Sequence, residues 1–165
     1  MNIPTLAFGL ALVALPTLSQ AACIGESLMS CPTRNGRVLQ VCASDDTFSY
    51  DYGRPGQSAE LSLTRPVDAA AVTPWNGMGM DQDSSVTFRN GAHSYTAWVS
   101  DVRGDSAAPT SGGILVQKGD ITLTTVGCVM GQVTARNGGA SFEQAMEERG
   151  WCWNLSETGW QKGGC

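Results

Sequence analysis

Histidine is almost missing from this chain: His93 is the only one in 165 residues. A single imidazole excludes His-rich metal clusters and leaves no second ordinary base near neutral pH. Charge is sparse as well, at 15% of residues against about 25% in an average domain. The ten Lys and Arg residues are scattered, Arg34 and Arg37 being the closest pair, and the net charge is −5. Phosphate-backbone binding needs clustered bases that release counterions, so no nucleic-acid partner is expected. No apolar run reaches the ~20 residues of a membrane-crossing helix, so no membrane span is expected either. Repeats and low-complexity stretches are absent. No two of the six cysteines lie closer than eight residues, which leaves out the paired C-x₂-C spacing of zinc sites. Neither a metal nor a cofactor is expected.

What is present begins with a leader. Met1–Gln20 carries no charge, and Leu6–Phe8 with Leu10–Leu15 form an apolar segment of signal-peptide length. Ser19-Gln20-Ala21 offers the small-x-small cleavage pattern, so residues 1–21 are read as a signal peptide. Gln20 stands where a lipobox wants Leu, so Cys23 is not expected to be lipidated. Behind the leader, Cys23, Cys31, Cys42, Cys128, Cys152 and Cys165 are an even set in an exported chain. Such a set reads as disulfides in a periplasmic or secreted protein. Their pairing stays open, with Cys152–Cys165 the local choice. Cys31 and Cys42 flank the first hairpin but fall diagonal to each other, ~7–8 Å apart, beyond ordinary disulfide reach unless a bulge shifts the register.

Period-2 alternation dominates the middle of the chain. Thr47–Tyr52 and Ala59–Thr64 alternate on either side of the turn formers Gly53–Ser58. An antiparallel pairing sets Phe48 against Leu63, Tyr50 against Leu61 and Tyr52 against Ala59. Asn35-Gly36 and Asn90-Gly91 predict two-residue type I′ turns. The first folds Leu28–Arg34 onto Arg37–Cys42; the second sets Val86 against Tyr95 and Phe88 against His93. A turn at Lys118-Gly119 opposes Val116 to Ile121 and Ile114 to Leu123, an inward set that would anchor the hairpin. With a strand near Ala70–Thr73, the expectation is an all-β fold, an antiparallel meander of eight to nine strands closed as a small barrel or sandwich over residues 22–130. Residues 131–165 read as a helical, Trp-rich, disulfide-stapled C-terminal extension. There Ser141-Phe142-Glu143-Gln144 predicts a capping box, and Gly150 predicts the helix end.

Four strings invite chemistry. Gly104-Asp105-Ser106-Ala107-Ala108-Pro109 looks like the nucleophile loop of chymotrypsin-like serine proteases. Ala replaces both glycines, however, and the chain is too short for two barrels, so a polar loop is expected. Asp81-Gln82-Asp83-Ser84-Ser85 starts like a calcium loop but places Val86 and Ala92 at its diagnostic Gly and Glu positions, leaving a solvated turn. His93, opposite Phe88 on an inward face, reads as structural. Pro74–Met80 sets Trp75, Met78 and Met80 among glycines, either as a binding surface or as a plug for one barrel end. Trp151, Trp153 and Trp160 divide between packing and recognition in the same way.

Cys31 followed by Asn35-Gly36-Arg37-Val38, with Lys118-Gly119-Asp120 ahead of Leu123 and Cys128, resembles the membrane-bound and periplasmic inhibitors of c-type lysozyme. The resemblance implies an exported small β-barrel that pushes a loop into the lysozyme cleft, with Lys118 contributing to inhibition. The family's Ser-Gly-x-x-Tyr string corresponds to Asn90–Tyr95 here, with Asn in the Ser position and one extra residue before Tyr95. The chain is therefore expected to be a non-enzymatic exported binding protein whose partner is another protein, such as a lysozyme-like cell-wall hydrolase. Its candidate binding residues are Lys118, Trp75, Met78, Met80 and Tyr95. The alternatives are a small envelope hydrolase using carboxylates such as Asp81, Asp83 or Asp101, and a structural envelope protein with no small ligand.

Overall fold

The computed structural model describes residues 23–163; the expected signal peptide and Cys165 lie outside the described residues. The alternating segments fold as two five-stranded antiparallel sheets. The first is a meander of β1 (Glu26–Pro32), β2 (Val38–Ala43), β3 (Thr47–Gly53) and β4 (Leu61–Pro66). A 3-10 turn at Val67–Ala69 crosses to the second meander. This contains β5 (Ala71–Thr73), β6 (Asp81–Asn90), β7 (His93–Val102), β8 (Ser111–Lys118) and β9 (Ile121–Gly127). The two-residue β10 (Thr134–Ala135) then returns to the free edge of β1. The short helix α1 (Ser141–Glu147) and a separate hairpin, β11 (Trp151–Asn154) with β12 (Gly159–Lys162), complete the order.

The fold is thus all-β with a short C-terminal helix, and it is a sandwich rather than a closed barrel. Among the described residues, the sheets share no ladder beyond a single bridge, Thr33 to Cys128. Inward side chains join them instead. Tyr50 of β3 meets Phe88 of β6 and Tyr95 of β7 at ring-centroid distances of 5.5 and 6.0 Å. Met29 of β1 fills the space over Gly112 of β8, where a Cβ would come within 2.4 Å of its terminal methyl. Phe142, Ala145 and Met146 of α1 are buried in the same core.

Several registers differ from the sequence expectation. Neither Asn35 nor Asn90 takes the left-handed conformation that a type I′ turn requires at both central residues. Around Asn35 the loop has three residues: the Thr33 N–H donates to the Arg37 carbonyl at 2.7 Å and the Gly36 N–H to the Thr33 carbonyl at 2.9 Å. Cys31 therefore faces Leu39, and a bulge between Ser27 and Met29 sets Cys42 against Ser27. Around Asn90 the turn moves one residue on, with Gly91 at φ 59° as its first central residue, so Phe88 pairs with Tyr95 and Asn90 with His93. The β3–β4 pairing slides by two, Tyr50 facing Leu63 and Tyr52 facing Leu61, and Glu60, left outside the ladder, pairs with Arg37 and Arg54 at 3.2 and 3.5 Å. A slide of two keeps every side chain on its expected face.

At the β8–β9 turn, Lys118 pairs with Ile121, and a bulge separates that pair from Val116 opposite Thr124. Ile121 and Leu123 are 69% and 52% exposed, so they do not anchor the hairpin as an inward set would. β9 is the outer strand of its sheet, and its first five residues are exposed. The Asp81–Ser85 string is the start of β6, not a turn.

Disulfides staple the sheets. Cys23 bonds Cys42 with Cα atoms 5.6 Å apart, and Cys31 bonds Cys128 at 5.8 Å. The second bridge closes 97 residues of sequence and ties β1 to the end of β9. Cys152 is disulfide-bonded, and no free cysteine occurs among the described residues. The expected partner of Cys152, Cys165, lies outside the described residues.

The capping box does not form. Ser141 sits inside α1, and its hydroxyl donates to the Leu28 carbonyl at 2.6 Å. The cap comes from another element: the Phe142 N–H donates to the hydroxyl of Ser84 in β6 at 3.3 Å. A 3-10 turn at Gly138–Ala140 brings the chain there. A Cβ on Gly139 would fall 1.8 Å from the Gln82 carbonyl oxygen, so only glycine permits this approach.

Candidate functional site

The loop between β5 and β6 is built by its own polar atoms. The Trp75 indole N–H donates to the Met78 carbonyl at 3.1 Å, and the Met78 N–H donates to Asn76 Oδ1 at 2.9 Å. The Arg103 N–H donates to the Met80 carbonyl at 2.7 Å, while its guanidinium lies 4.5 Å from the Trp75 ring centroid. With the loop held in this way, Met78 and Met80 point outward, 71% and 67% exposed. They do not plug an end of the sandwich.

Facing this loop is the tail hairpin. Trp153 packs edge-on against Trp160, with centroids 5.4 Å apart. The Trp160 indole donates to the Val72 carbonyl of β5 at 2.8 Å, which fixes the hairpin beside the loop. Between them α1 forms the floor. The result is a groove of about 630 Å³ lined by Trp75, Asn76, Glu143, Glu147, Trp153 and Leu155. Leu155 stands at its lip, 78% exposed.

The groove contains two carboxylates from α1. Glu143 and Glu147 are four residues apart, so they project from one helix face as neighbours. Burial pushes the Glu143 carboxyl above the usual glutamate range, and the charge of Glu147 adds to the rise, while the Trp75 backbone N–H opposes it. Neither glutamate belongs to any ion pair among the described residues. The nearby bases are engaged elsewhere. Arg103 covers Trp75, Arg149 donates to the Ser44 and Ala145 carbonyls, and Lys162 lies over Trp151.

The other candidate residues do not join this groove. Lys118 is exposed at the far end of β8, paired with His93 and Ile121. The tip of its hairpin is braced by the Gly119 N–H donating to the Ala92 carbonyl at 3.1 Å. Tyr95 is half-buried, its ring turned onto Tyr50 in the core. His93 is half-buried at the strand end. The three aspartates do not converge. Asp81 and Asp83 alternate with Gln82, and Gln82 is the register partner of Asp101, so Asp101 falls on the opposite face of the sheet. Asp105 Oδ1 accepts from the Ala107 and Ala108 N–H groups, making the Gly104–Pro109 string a self-bonded polar turn. Among the described residues, no three His, Cys, Asp or Glu side chains group as a metal would need, and no helix is long and apolar enough to cross a membrane.

Glu143 and Glu147 were not singled out by sequence reasoning. One signal was available: two acids at i and i+4 repel each other on a helix, where an acid–base pair would support it. No protein-family model, curated protein or solved structure matches the chain, so its function is read from this geometry.

Proposed function

We propose that the protein is an exported, non-enzymatic binding protein that engages another protein through the groove between the Trp75–Met80 loop and the β11–β12 hairpin. One observation carries this reading: a concave site walled by Trp75 and Trp153 has the exposed Leu155 in its lining, and Met78 and Met80 are exposed on the same loop as Trp75. Aromatic side chains and Met are enriched at the centres of protein interfaces. Disulfides are at home in an oxidising compartment, which supports the exported part of the reading. The carboxylate-hydrolase alternative has less support. Glycosidase carboxyls flank the scissile bond from two sides, whereas Glu143 and Glu147 stand side by side on one helix face.

A lysozyme-like cell-wall hydrolase is the target suggested by the resemblance through Lys118. Two surfaces are therefore tested together, by calorimetric titration with a c-type lysozyme. Met78→Ser combined with Leu155→Ser should weaken the complex at least ~10-fold, about 1.4 kcal/mol. Because both positions are exposed, stability should stay within ~0.5 kcal/mol. Should Lys118→Ala weaken binding and the groove pair leave it unchanged, the partner docks at the hairpin tip and the groove reading fails. Should no complex form at micromolar protein, lysozyme is not the target.

A further inference from the structure

The groove pairs apolar walls with two carboxylates that have no ion-pair partner among the described residues. Two indoles and Leu155 form its sides, and Glu143 and Glu147 meet in its floor without an ion-pair partner among the described residues. A neutral or anionic occupant would desolvate these carboxylates further without compensation, at the cost attached to any buried unpaired charge. A cationic side chain reverses that balance. Its charged head can donate to both carboxylates in charge-assisted hydrogen bonds, while its aliphatic stem and planar face lie against the indoles. Trp75 already holds one guanidinium in this way, since Arg103 covers one of its faces at 4.5 Å. The net charge of −5 favours approach of a basic partner.

From this we infer that the groove is a receptor for an arginine or lysine side chain projecting from a basic polypeptide segment, which enters between Trp75 and Trp153 and ends on Glu143 and Glu147. The inference rests on the binding-protein reading and adds the chemical class of the occupant. Guanidinium suits the site best, because a planar fork can engage two adjacent carboxylates and stack on an indole at the same time, where an ammonium does only the first well.

The test uses the full disulfide-bonded protein and two capped hexapeptides that differ only in charge: one alternating Arg and Gly, the other with citrulline in place of each Arg. Binding is followed by NMR through the indole N–H signals of Trp75 and Trp153. The arginine peptide is expected to shift both signals and to bind at least ~10-fold more tightly than the citrulline peptide. Glu147→Gln should reduce its affinity ~5- to 10-fold, and Glu147→Lys should abolish binding while the spectrum elsewhere stays that of the folded protein. Equal binding of the two peptides at the same indoles would overturn the cation assignment and leave the groove as a binding site. Binding of the arginine peptide that ignores both Glu147 variants and disappears with salt alone would overturn it too, because net charge would then be the whole cause. If neither peptide binds while a protein partner still depends on Met78 and Leu155, the basic-segment inference is wrong and the proposed function stands.

Discussion

Individual carboxylates in this protein do opposite things, and pH separates them. Glu148 accepts two hydrogen bonds from Arg136 at 2.6 and 2.9 Å, which hold its carboxyl below the usual glutamate range. A lowered folded-state pKa means stability that is present above the unfolded value and lost as pH falls through the folded one. Glu148→Gln should therefore lower the urea midpoint at pH 7, and its deficit should shrink below about pH 4.3, where the unfolded chain is already protonated. Glu143 is the reverse case. Burial and Glu147 raise its pKa, so its contribution is greatest below the unfolded value and is lost as pH rises through the folded one. Glu143→Gln is accordingly expected to leave the urea midpoint at pH 7 unchanged or higher, while weakening any cationic ligand. A drop in midpoint of the size produced by Glu148→Gln would show that Glu143 serves the fold. That opposition, a residue tolerated against local stability, is what binding sites commonly carry.

At the level of elements, α1 depends on its surroundings more than on its own sequence. Seven residues are too few to hold a helix in isolation, and the Ser141 hydroxyl that could have capped it is directed to Leu28 instead. Ser84 on β6 supplies the missing acceptor from across the core. Ser84→Ala should thus cost about 1–2 kcal/mol, the size of a lost helix cap, although the residue lies 57 positions from the helix start. Equilibrium urea unfolding measures it; a change under ~0.3 kcal/mol would mean that the Phe142 N–H finds another acceptor. The consequence extends to the groove, because α1 carries Glu143 and Glu147. A loosened helix should broaden the signals of both indoles.

For the molecule as a whole, the order of stabilisation among the bridges follows from topology. Cys31–Cys128 closes a loop of 97 residues and Cys23–Cys42 one of 19. In the chain-entropy view, a loop of about 100 residues is worth about 4.7 kcal/mol and one of about 15 residues about 3 kcal/mol. Replacing both Cys31 and Cys128 by Ala should cost more than the same change at Cys23 and Cys42, by about 1–2 kcal/mol in urea unfolding. The reverse order would show that Cys31–Cys128 is strained, or that the unfolded chain is already compact around it. The inter-sheet bridge also governs how the two meanders sit on each other, since among the described residues only one backbone bridge joins their ladders.

Alternation of side chains was enough to determine the all-β class, the meander order and the inward face of the main strands other than β9, because a period of two reports burial directly. Even where the β3–β4 and β6–β7 registers slid by two, Phe48, Tyr50, Val86 and Phe88 stayed inside, as an even shift requires. The cysteine count likewise foretold a stapled domain. Turn type was less legible, since Asn35-Gly36 and Asn90-Gly91 fit a type I′ turn locally. Thr33, Arg37 and the strand ends decided otherwise through bonds that no dipeptide encodes. Sandwich against barrel, the Cys31–Cys128 pairing and the exposure of Ile121 were tertiary decisions, because each depends on which strand lies over which. The groove belongs to the same class. Trp75, Glu143 and Trp153 are spread over 79 positions of sequence, and only the packing of α1 and the Trp160 anchor on β5 bring them to one groove. Sequence pattern records what each residue does to its neighbours along the chain; a site assembled from a loop, a helix face and a hairpin exists only once the core has placed all three.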